Sequence, residues 1–525
     1  MLQDIVMHTT RADKQARLTG APGARQSAGG PPVHRSHDGM GLGWAAGARR
    51  PAGTAGVALP AVDPAGAVFT RPIRHLANGS CPWMIGRRDG GWLLSACLAV
   101  GMTGVRVRDV SALEILDSRG RPTLQVAVTF SDGTSGLAGV PSGASTGSGE
   151  AVERRDGDPG RYGGLGVLAA AESVQGEIAD LLRSADWEDL EQLDDALISL
   201  DGTPGKSRLG ANAITGVSMA CARAFAAGSG RPLWDWLTPH AVTARLPVPH
   251  FNVINGGAHA PNLLDFQEFM IAPLGAPSLP EAVRAGAEVY AALRRLLADS
   301  GHSTGLGDEG GFAPEVSEPE EVLRLLVVAI EAAGYVAGPD GVAIALDPAA
   351  NGFREDSGRY RVGDQKLTSD ELIERYAGMV ARFPVWSIED GLAEDDWAGW
   401  QRLTERLGPA VQLVGDDIFV TNPVTITDAV AEGIGNAALI KVNQIGTVSE
   451  TLRAMTVCRI AGYAQMISHR SGETTDTFIA DLAVGTGCGQ IKTGAPARGE
   501  RVAKYNRLAE IAAATPSLPY GLAKT

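Results

Sequence analysis

The sequence predicts an α/β protein in which a smaller α+β domain precedes a (β/α) barrel. Between residues 342 and 492, short apolar runs such as VAIALD, VWSIED and AALIK each end in a charged or polar side chain. From Glu389 onward these ends are spaced 23 to 28 residues apart, the combined length of one strand and one helix. Before residue 240, alternating apolar positions are followed by a helix-rich stretch, a pattern typical of a small α+β domain.

The polar ends of these runs predict a shared pocket, because the carboxyl ends of all strands in a (β/α) barrel open on one face. The residues in these positions are Asp347, Glu389, Asp416, Lys441, His469, Arg470 and Lys492. Any one of them, taken alone, is more readily interpreted as a solvated loop charge. Their regular recurrence at strand ends favours the pocket instead.

The chain divides by composition into four predicted segments. Residues 1–101 are rich in Gly, Ala, Pro and Arg, carry eleven Arg or Lys against five Asp, and lack helical or strand periodicity, which predicts a disordered extension. Residues 102–240 form the predicted α+β domain and residues 241–512 the predicted barrel, followed by a polar tail at 513–525. An apolar run after Arg87 and Arg88 imitates a secretory signal, but no disulfide-rich domain follows it.

The α+β domain begins with the strand patterns VRDVSALEILD and TLQVAVTFSDG, joined by the turn SRGRP, and helices are expected from about 167 to 237. Between the sheet and the helices lies the segment 139–158, which contains five glycines and three serines. Such a segment is either a plain surface linker or a mobile binding loop, and the residues alone leave both interpretations open.

The first part of the barrel supplies further candidate site residues. The loop NGGAHAPN carries His259, and the strand after it carries Gln267 and Glu268, so a histidine and a carboxylate enter the same region. The segment GDEGGFAP holds Glu309 next to glycines that allow the backbone to approach a ligand closely. The alternative for this segment is a simple tight turn.

Composition excludes several classes of function. The 525-residue chain has a formal net charge of −14, which argues against a nucleic-acid-binding surface. Its five cysteines show no CxxC or other metal spacing, so a reducing, cytoplasmic setting is expected. No apolar run approaches the length of a membrane span.

The predicted pocket combines a metal site with an anion site. Asp347, Glu389 and Asp416 offer three hard oxygen ligands without thiols or paired histidines, which favours Mg²⁺ over zinc or copper. Arg470, Ser471 and Lys492 would clamp a phosphorylated or carboxylated ligand. Because Lys441 would lie across the pocket from the metal, we expect proton abstraction next to a carboxylate, with Glu309 or Glu268 as an acid on the other side.

Eleven ordered motifs make the chain resemble the enolase family over roughly residues 104–512. They are ILDSRG, PSGASTG, RDGD, NVINGGAHA, FQEFMIAP, GDEGGFAP, SIEDGL, VGDDIFVTN, LIKVNQIGT, ISHRSGET and IKTGAPARGERVAKYN. The resemblance implies a modified (β/α)8 TIM-like barrel, preceded by a smaller α+β domain, whose first strands depart from plain alternation. It also implies Mg²⁺-dependent, reversible dehydration of 2-phosphoglycerate to phosphoenolpyruvate. A homo-oligomer is expected, in the cytoplasm, with a secondary cell-surface or secreted pool as in the family.

The same resemblance implies a role for each site residue. Lys441 resembles the base that accepts the C2 proton, and Glu309 resembles the acid that protonates the leaving hydroxyl. Asp347, Glu389 and Asp416 match the ligands of the first Mg²⁺, and Ser145 matches the loop residue that closes onto a second. The expected substrate-binding residues are His259, Gln267, Glu268, Lys441, His469, Arg470, Ser471 and Lys492.

Two other interpretations remain open at this point. A racemase-type or lactonising-type relative would keep the barrel and Mg²⁺ but act on another carboxylic acid, and a non-catalytic scaffold protein would keep only the fold. The chain departs from the family pattern in its long N-terminal segment, in PNLL after His259 and in LDPAANGF around Asp347. None of these departures removes an expected catalytic position.

Overall fold

The computed structural model describes residues 104–143 and 147–522, together with the backbone of two short strands. These strands, β1 (Gly86–Arg88) and β2 (Gly91–Leu93), pair in an antiparallel manner within the segment predicted to be disordered. The rest of that segment, Ser145 of the predicted binding loop and residues 523–525 of the predicted tail lie outside the described residues.

The first domain is a four-stranded antiparallel sheet covered by helices, in the strand order β5-β4-β3-β6. Val126, Val128 and Phe130 alternate along β4 and are fully buried, because a strand turns every second side chain to one face. Gly216 lets helix α4 approach this face, since a Cβ there would lie 2.5 Å from Val126. The strands are β3 (Val105–Leu116), β4 (Pro122–Phe130), β5 (Ser135–Gly139) and β6 (Asp186–Trp187).

The helices of this domain lie between residues 168 and 236, as the sequence predicts. They are α1 (Leu168–Ser173), a π-helical turn (Val174–Ile178), α2 (Ala179–Ser184), α3 (Leu190–Asp201), α4 (Ala211–Gly228) and α5 (Leu233–Trp236). Helix α3 begins where the Asp189 side chain accepts a hydrogen bond from the backbone of Gln192, and it ends at Gly202 in a left-handed conformation.

The second domain is a closed eight-stranded barrel. Strands β7 and β8 pair antiparallel, as do β8 and β9, whereas the other neighbours are parallel. The predicted barrel and the departure of its first strands are therefore confirmed. Its strands are β7 (Val248–Asn255), β8 (Glu268–Ala272), β9 (Ala343–Asp347), β12 (Val385–Glu389), β13 (Gln412–Gly415), β14 (Ala437–Ile440), β15 (Ala464–Ser468) and β16 (Gln490–Lys492), while β10 (Tyr360–Val362) and β11 (Gln365–Leu367) form a separate hairpin.

Helices surround the barrel and make its strands nearly fully buried, which is why those strands are continuous apolar runs. Helix α8 begins with a reciprocal cap between Thr368 and Glu371. Within the described residues, no helix is long and apolar enough to cross a membrane. The helices are α6 (Leu279–Asp299), α7 (Pro319–Ala332), α8 (Ser369–Arg382), α9 (Trp397–Leu407), α10 (Pro423–Glu432), α11 (Val442–Ile445), α12 (Val448–Ala461), α13 (Phe478–Gly485) and α14 (Gly499–Ala514).

Candidate active site

The carboxyl ends of the barrel strands line one pocket, as the spacing of the sequence predicts. Its lining residues are His259, Gln267, Glu268, Glu309, Asp347, Asp416, Lys441, Ser468, His469, Arg470, Ser471 and Lys492. Glu389 reaches the same group through a hydrogen bond from Lys492. These residues come from many segments of the chain and converge at one rim of the barrel, where the parallel strands end and the antiparallel β8 begins.

Lys492 lies at the centre of three carboxylates. Its Nζ atom donates to Asp347 Oδ2 at 2.9 Å and to Glu389 Oε1 at 2.8 Å, and it lies 3.2 Å from Glu268 Oε2. Burial alone would lower the pKa of Lys492, but Asp347, Glu268 and Glu389 raise it well above its usual value. The second oxygen of Glu389 is buried and has no hydrogen-bond partner among the residues that the structure describes.

Lys441 follows strand β14 and forms a salt bridge with Asp416 Oδ2. The backbone N–H of Lys441 donates to Thr421 Oγ1 at 2.9 Å, which fixes the chain at the end of the strand. Burial would lower the pKa of Lys441, and the Asp416 carboxylate outweighs that effect and raises it. The ammonium is therefore protonated while this salt bridge exists.

Glu309 lies in a second cluster with two histidines. Its Oε2 atom accepts from Asn252 Nδ2 at 2.9 Å and lies 3.2 Å from His469 Nε2. Arg501 Nη1 lies 2.6 Å from His469 Nδ1, and because arginine can only donate, His469 Nδ1 accepts and Nε2 carries the proton toward Glu309. Nδ1 of His259 lies 3.8 Å from Glu309 Oε1.

The two carboxyl groups of this cluster have opposite pKa shifts. Burial raises the pKa of Glu268 well above its usual value, and the nearby Glu309 raises it further. Burial would also raise the pKa of Glu309, but His469 and His259 lower it well below its usual value. Burial lowers the pKa of His469 to about 3, so this histidine is neutral. Burial therefore favours the protonated form of Glu268, whereas the two histidines favour the ionised form of Glu309.

Arg470 forms a buried, two-point ion pair with Glu150. Its Nη1 atom donates to Glu150 Oε2 at 2.9 Å and its Nη2 atom to Glu150 Oε1 at 3.1 Å, while Asn443 Oδ1 also accepts from Nη1 at 3.1 Å. Beside it, Ser471 Oγ accepts from Arg119 Nη1 at 3.3 Å. The planar fork of this guanidinium, which also suits phosphate or carboxylate, is occupied here by the Glu150 carboxylate.

The carboxylates of the pocket fit Mg²⁺. Asp347, Glu389 and Asp416 offer only oxygen donors, each of them is now paired with a lysine cation, and Glu389 keeps a buried oxygen without a hydrogen bond. Among the described residues, two clusters of three residues each have their possible ligand atoms within 4.8 Å of one another. Neither cluster is the predicted trio Asp347, Glu389 and Asp416. The two clusters are His259 with Glu268 and Glu309, and Asp390 with Asp416 and Asp417.

Sequence reasoning missed several residues that hold the predicted ones in place. Asn252 and Arg501 hold the cluster around Glu309, Glu150 pairs with Arg470, and Gln444 donates to Asp416. Gln444 lies in the motif LIKVNQIGT and Arg501 in IKTGAPARGERVAKYN, and Glu150 follows PSGASTG. Their positions in or near these family motifs could have marked them as candidate site residues. Asn252 lies inside an apolar strand, where a buried amide indicates a polar partner.

Comparison with known families agrees with this geometry. The family model described as the enolase C-terminal TIM barrel domain matches residues 243–517, and the one described as the enolase N-terminal domain matches residues 107–237. The chain belongs to the enolase family. Enolase of Rubrobacter xylanophilus is 55% identical over 404 residues, covering 77% of this chain and 93% of that protein. Enolase of Mycobacterium leprae is 55% identical over 405 residues, covering 77% of this chain and 94% of that protein.

Membership of the enolase family decides among the interpretations that the residues left open. The chain is an enolase, a phosphopyruvate hydratase, and the racemase-type and scaffold interpretations are set aside. Enolases depend on Mg²⁺, which agrees with the all-oxygen donor set at the barrel mouth.

Proposed function

We propose that this enolase dehydrates 2-phosphoglycerate with Lys441 as the base and Glu309 as the acid. The observation that carries the proposal is that both residues line one pocket but belong to different charge clusters, Lys441 with Asp416 and Glu309 with His259 and His469. Two proton transfers on one substrate need two groups whose protonation is controlled separately. The two clusters provide that separation.

Asp347, Glu389 and Asp416 would hold the first Mg²⁺, and Ser145, outside the described residues, would contribute to a second. When bound, the ion supplies positive charge that stabilises the substrate carboxylate as it gains negative charge. The lysines that now pair with these acids mark the place where cationic charge is favourable. Gln267, His259, Glu268 and Lys492 would contact the substrate beside this position.

Lys441 accepts the C2 proton at Nζ in this scheme. A protonated amine cannot act as a base, so Lys441 must leave its salt bridge with Asp416 and lose its proton before it acts. Glu309 donates a proton to the departing hydroxyl, so this carboxylate must first gain a proton, and Glu268 and His259 lie close enough to take part in its supply. Arg470, Ser471 and His469 orient the substrate, with the Arg470 guanidinium binding its phosphate.

The metal assignment is tested by titrating the full chain with Mg²⁺ in a calorimeter. Asp347→Ala, Glu389→Ala and Asp416→Ala should each weaken Mg²⁺ binding by about tenfold or more, because each removes one anionic ligand. Asp481→Ala is the matched control, since Asp481 is a buried acid that pairs with Arg507 on the outer helices. Unchanged affinity in any of the three variants would remove that residue from the site, and a turnover assay with 2-phosphoglycerate would accompany each titration.

The proposal includes a homo-oligomer formed through the outer face of the first sheet. Leu113 and Leu137 are 59% and 51% exposed, and the strand register places both on one side of the sheet with Gln125 and Ala127 between them. An apolar face of this kind favours burial against a second copy. Light scattering should give a mass above the 54.5 kDa of one chain, and Leu113→Asp should lower it. A monomeric wild-type protein would contradict this part of the proposal.

We place the protein in the cytoplasm, as the family implies. Cys221, Cys458 and Cys488 are buried free thiols, which suits a reducing compartment. Cell fractionation with an antibody against the full chain would check the location, and recovery mainly outside the cell would contradict it.

A further inference from the structure

The side chain of Gln444 lies between Asp416 and Glu150, and the residue is only 1% exposed. It follows Lys441 by three positions, within the short helix α11. Its Nε2 atom donates to Asp416 Oδ1 at 2.8 Å and to Glu150 Oε1 at 3.3 Å, and its Oε1 atom accepts from Thr421 Oγ1 at 2.7 Å. One amide side chain therefore contacts a proposed metal ligand and the carboxylate that holds Arg470.

The hydrogen bonds from Lys441 through Thr421 and Gln444 to Asp416 form a series in which each group donates to the next. The backbone N–H of Lys441 donates to Thr421, so the Thr421 hydroxyl directs its own proton to Gln444 Oε1. At the other end, the Asp416 carboxylate can only accept, so it needs a donor. The glutamine amide has a donor nitrogen and an acceptor oxygen at fixed positions. An ionised glutamate at this position would have no hydrogen-bond donor, and a methionine would have no donor and only a weak acceptor.

Gln444 also determines which oxygen of Asp416 remains for a cation. Oδ1 accepts from Gln444, and Oδ2 forms the salt bridge with Lys441. A carboxylate with one oxygen held by an amide can turn less freely, so its second oxygen stays aimed at the pocket. The backbone carbonyl of Gln444 accepts a hydrogen bond from the backbone N–H of Ala151, which joins this point to the segment that carries Glu150.

The backbone beside this chain of hydrogen bonds adopts an unfavourable conformation. Val420 and Thr421 have φ angles of 42° and 56°, in the left-handed region that β-branched residues rarely adopt. The conformation places Thr421 Oγ1 between the Lys441 backbone and Gln444. Unfavourable backbone geometry of this type persists where the surroundings require it, often at functional sites.

We propose that Gln444 is a positioning residue of the dehydration reaction, which orients Asp416 for the cation and links it to the Glu150 and Arg470 pair. This inference rests on the proposed function, because it takes Asp416 as a metal ligand. Gln444 itself touches neither metal nor substrate in this scheme. Its effect is transmitted through the orientation of Asp416.

The experiment compares Gln444→Met with wild type in the full chain. Residues that orient metal ligands typically change metal affinity by about tenfold or more. We expect Gln444→Met to weaken Mg²⁺ binding by about tenfold in calorimetry without substrate, and to lower kcat by about tenfold at saturating Mg²⁺ with less than about a threefold change in KM. Gln465→Met is the matched control, because Gln465 is another buried barrel glutamine whose amide donates to the Met455 carbonyl.

A second pair of variants keeps the test valid if Gln444→Met does not fold. Thr421→Val preserves the shape of the side chain but removes the hydroxyl, and Thr421→Ser retains the hydroxyl. Thr421→Val should weaken Mg²⁺ binding by about threefold to tenfold, and Thr421→Ser should stay near wild type. Equal Mg²⁺ affinities in Thr421→Val and Thr421→Ser would overturn the role of this chain of hydrogen bonds.

The outcomes separate this inference from the proposed function. Unchanged Mg²⁺ affinity in Asp416→Ala would overturn the metal assignment and the inference with it. A loss of affinity in Asp416→Ala without one in Gln444→Met would overturn the inference alone. An equal loss in Gln465→Met would also overturn it, because the effect would then come from removing any buried amide in the barrel.

Discussion

The barrel mouth and the boundary between the two domains both bury charges, but they arrange them differently. At the boundary, Asp476 accepts from Arg223 Nη1 at 2.7 Å and Nη2 at 2.8 Å, and also from the backbone of Gly139 and Phe478. Burial would raise the pKa of Asp476, but Arg223 and these donors lower it. Each oxygen of this carboxylate meets donors, so the ion pair serves the docking of one domain on the other.

At the barrel mouth, carboxylates face other carboxylates. Burial raises the pKa values of Glu268 and Glu389 well above their usual range, and Glu309 and Asp347 respectively raise them further. One lysine, Lys492, serves three acids there. Crowding of like charges in a buried place costs stability, and it is typical of sites that bind a cation or move a proton. The paired charges at the domain boundary therefore fit a structural role, and the crowded carboxylates at the barrel mouth fit a role in cation binding or proton transfer.

The largest effect that tests this comparison is expected for Lys441→Ala. Removing the proposed base should lower kcat by about 10³-fold or more, while Mg²⁺ affinity does not fall, because Lys441 ligates no metal in the proposed scheme. Steady-state kinetics and calorimetry would measure the two quantities. Lys366→Ala is the control, since Lys366 pairs with Glu355 on the surface. Substantial remaining dehydration in Lys441→Ala would mean that another group is the base.

Glu309→Gln separates the two proton transfers. The variant keeps the shape of the side chain but has no acidic proton, so dehydration should fall by about 10² to 10³-fold. Lys441 remains, so the C2 hydrogen of 2-phosphoglycerate should still exchange in deuterated water with Mg²⁺. NMR would follow both the exchange and the appearance of phosphoenolpyruvate.

Loss of exchange in step with dehydration would place Glu309 in the first transfer or in substrate binding. Because burial favours the protonated form of Glu268 while His469 and His259 favour the ionised form of Glu309, Glu268→Gln provides the informative companion variant. Exchange that survives in Glu309→Gln but not in Glu268→Gln would support separate roles for the two acids.

The stability contributions of one buried group in the barrel and one at the domain boundary should change in opposite directions with pH. His250, inside the barrel, is buried, and burial lowers its pKa from 6.5 to about 4. The unfolded chain therefore binds more protons between these values, so about 3 kcal/mol of stability is present above pH 6.5 and lost as pH falls to 4. Asp194, at the domain boundary, accepts from Ser449, and burial raises its pKa from 3.8 to about 7.

For Asp194 the folded chain binds more protons, so its contribution of about 4 kcal/mol is present below pH 3.8 and lost as pH rises to 7. Urea unfolding across this pH range should show that His250→Gln flattens the loss on the acid side and Asp194→Asn flattens the loss toward neutral pH. Slopes that change in the same direction in both variants would contradict the assignment.

The smallest effect compares two neutralised acids. Asp476→Asn should lower the free energy of unfolding by about 2 kcal/mol, because it leaves the Arg223 guanidinium without its counter-charge. Glu268→Gln should leave metal-free stability unchanged or raise it by about 1 kcal/mol, because an amide replaces a carboxyl group whose charged form burial already disfavours. Thermal unfolding without Mg²⁺ would measure both. Equal destabilisation by the two variants would end the distinction between the regions.

The sequence by itself predicted the barrel, which the structure confirms, and the charged residues at its strand ends, which are the proposed acids and bases. Asp347, Glu389 and Lys492 each close an apolar run, and that pattern is local, since burial of a strand requires apolar residues up to the rim and permits polar ones there. The family motifs added the roles. The departure of the first strands from plain alternation came from the resemblance and not from periodicity, because β7 and β8 are as fully buried as the parallel strands.

Only the tertiary structure decided which charges pair. Glu150 and Arg470 are 320 residues apart, and Lys492 and Asp347 are 145 apart, so no local pattern specifies their contacts. Gln444 is an ordinary amide in the sequence, and its neighbours Thr421, Asp416 and Glu150 come from three different segments. Such partners are set when the barrel closes and the first domain docks on it, because only then do side chains from distant segments come within hydrogen-bonding distance.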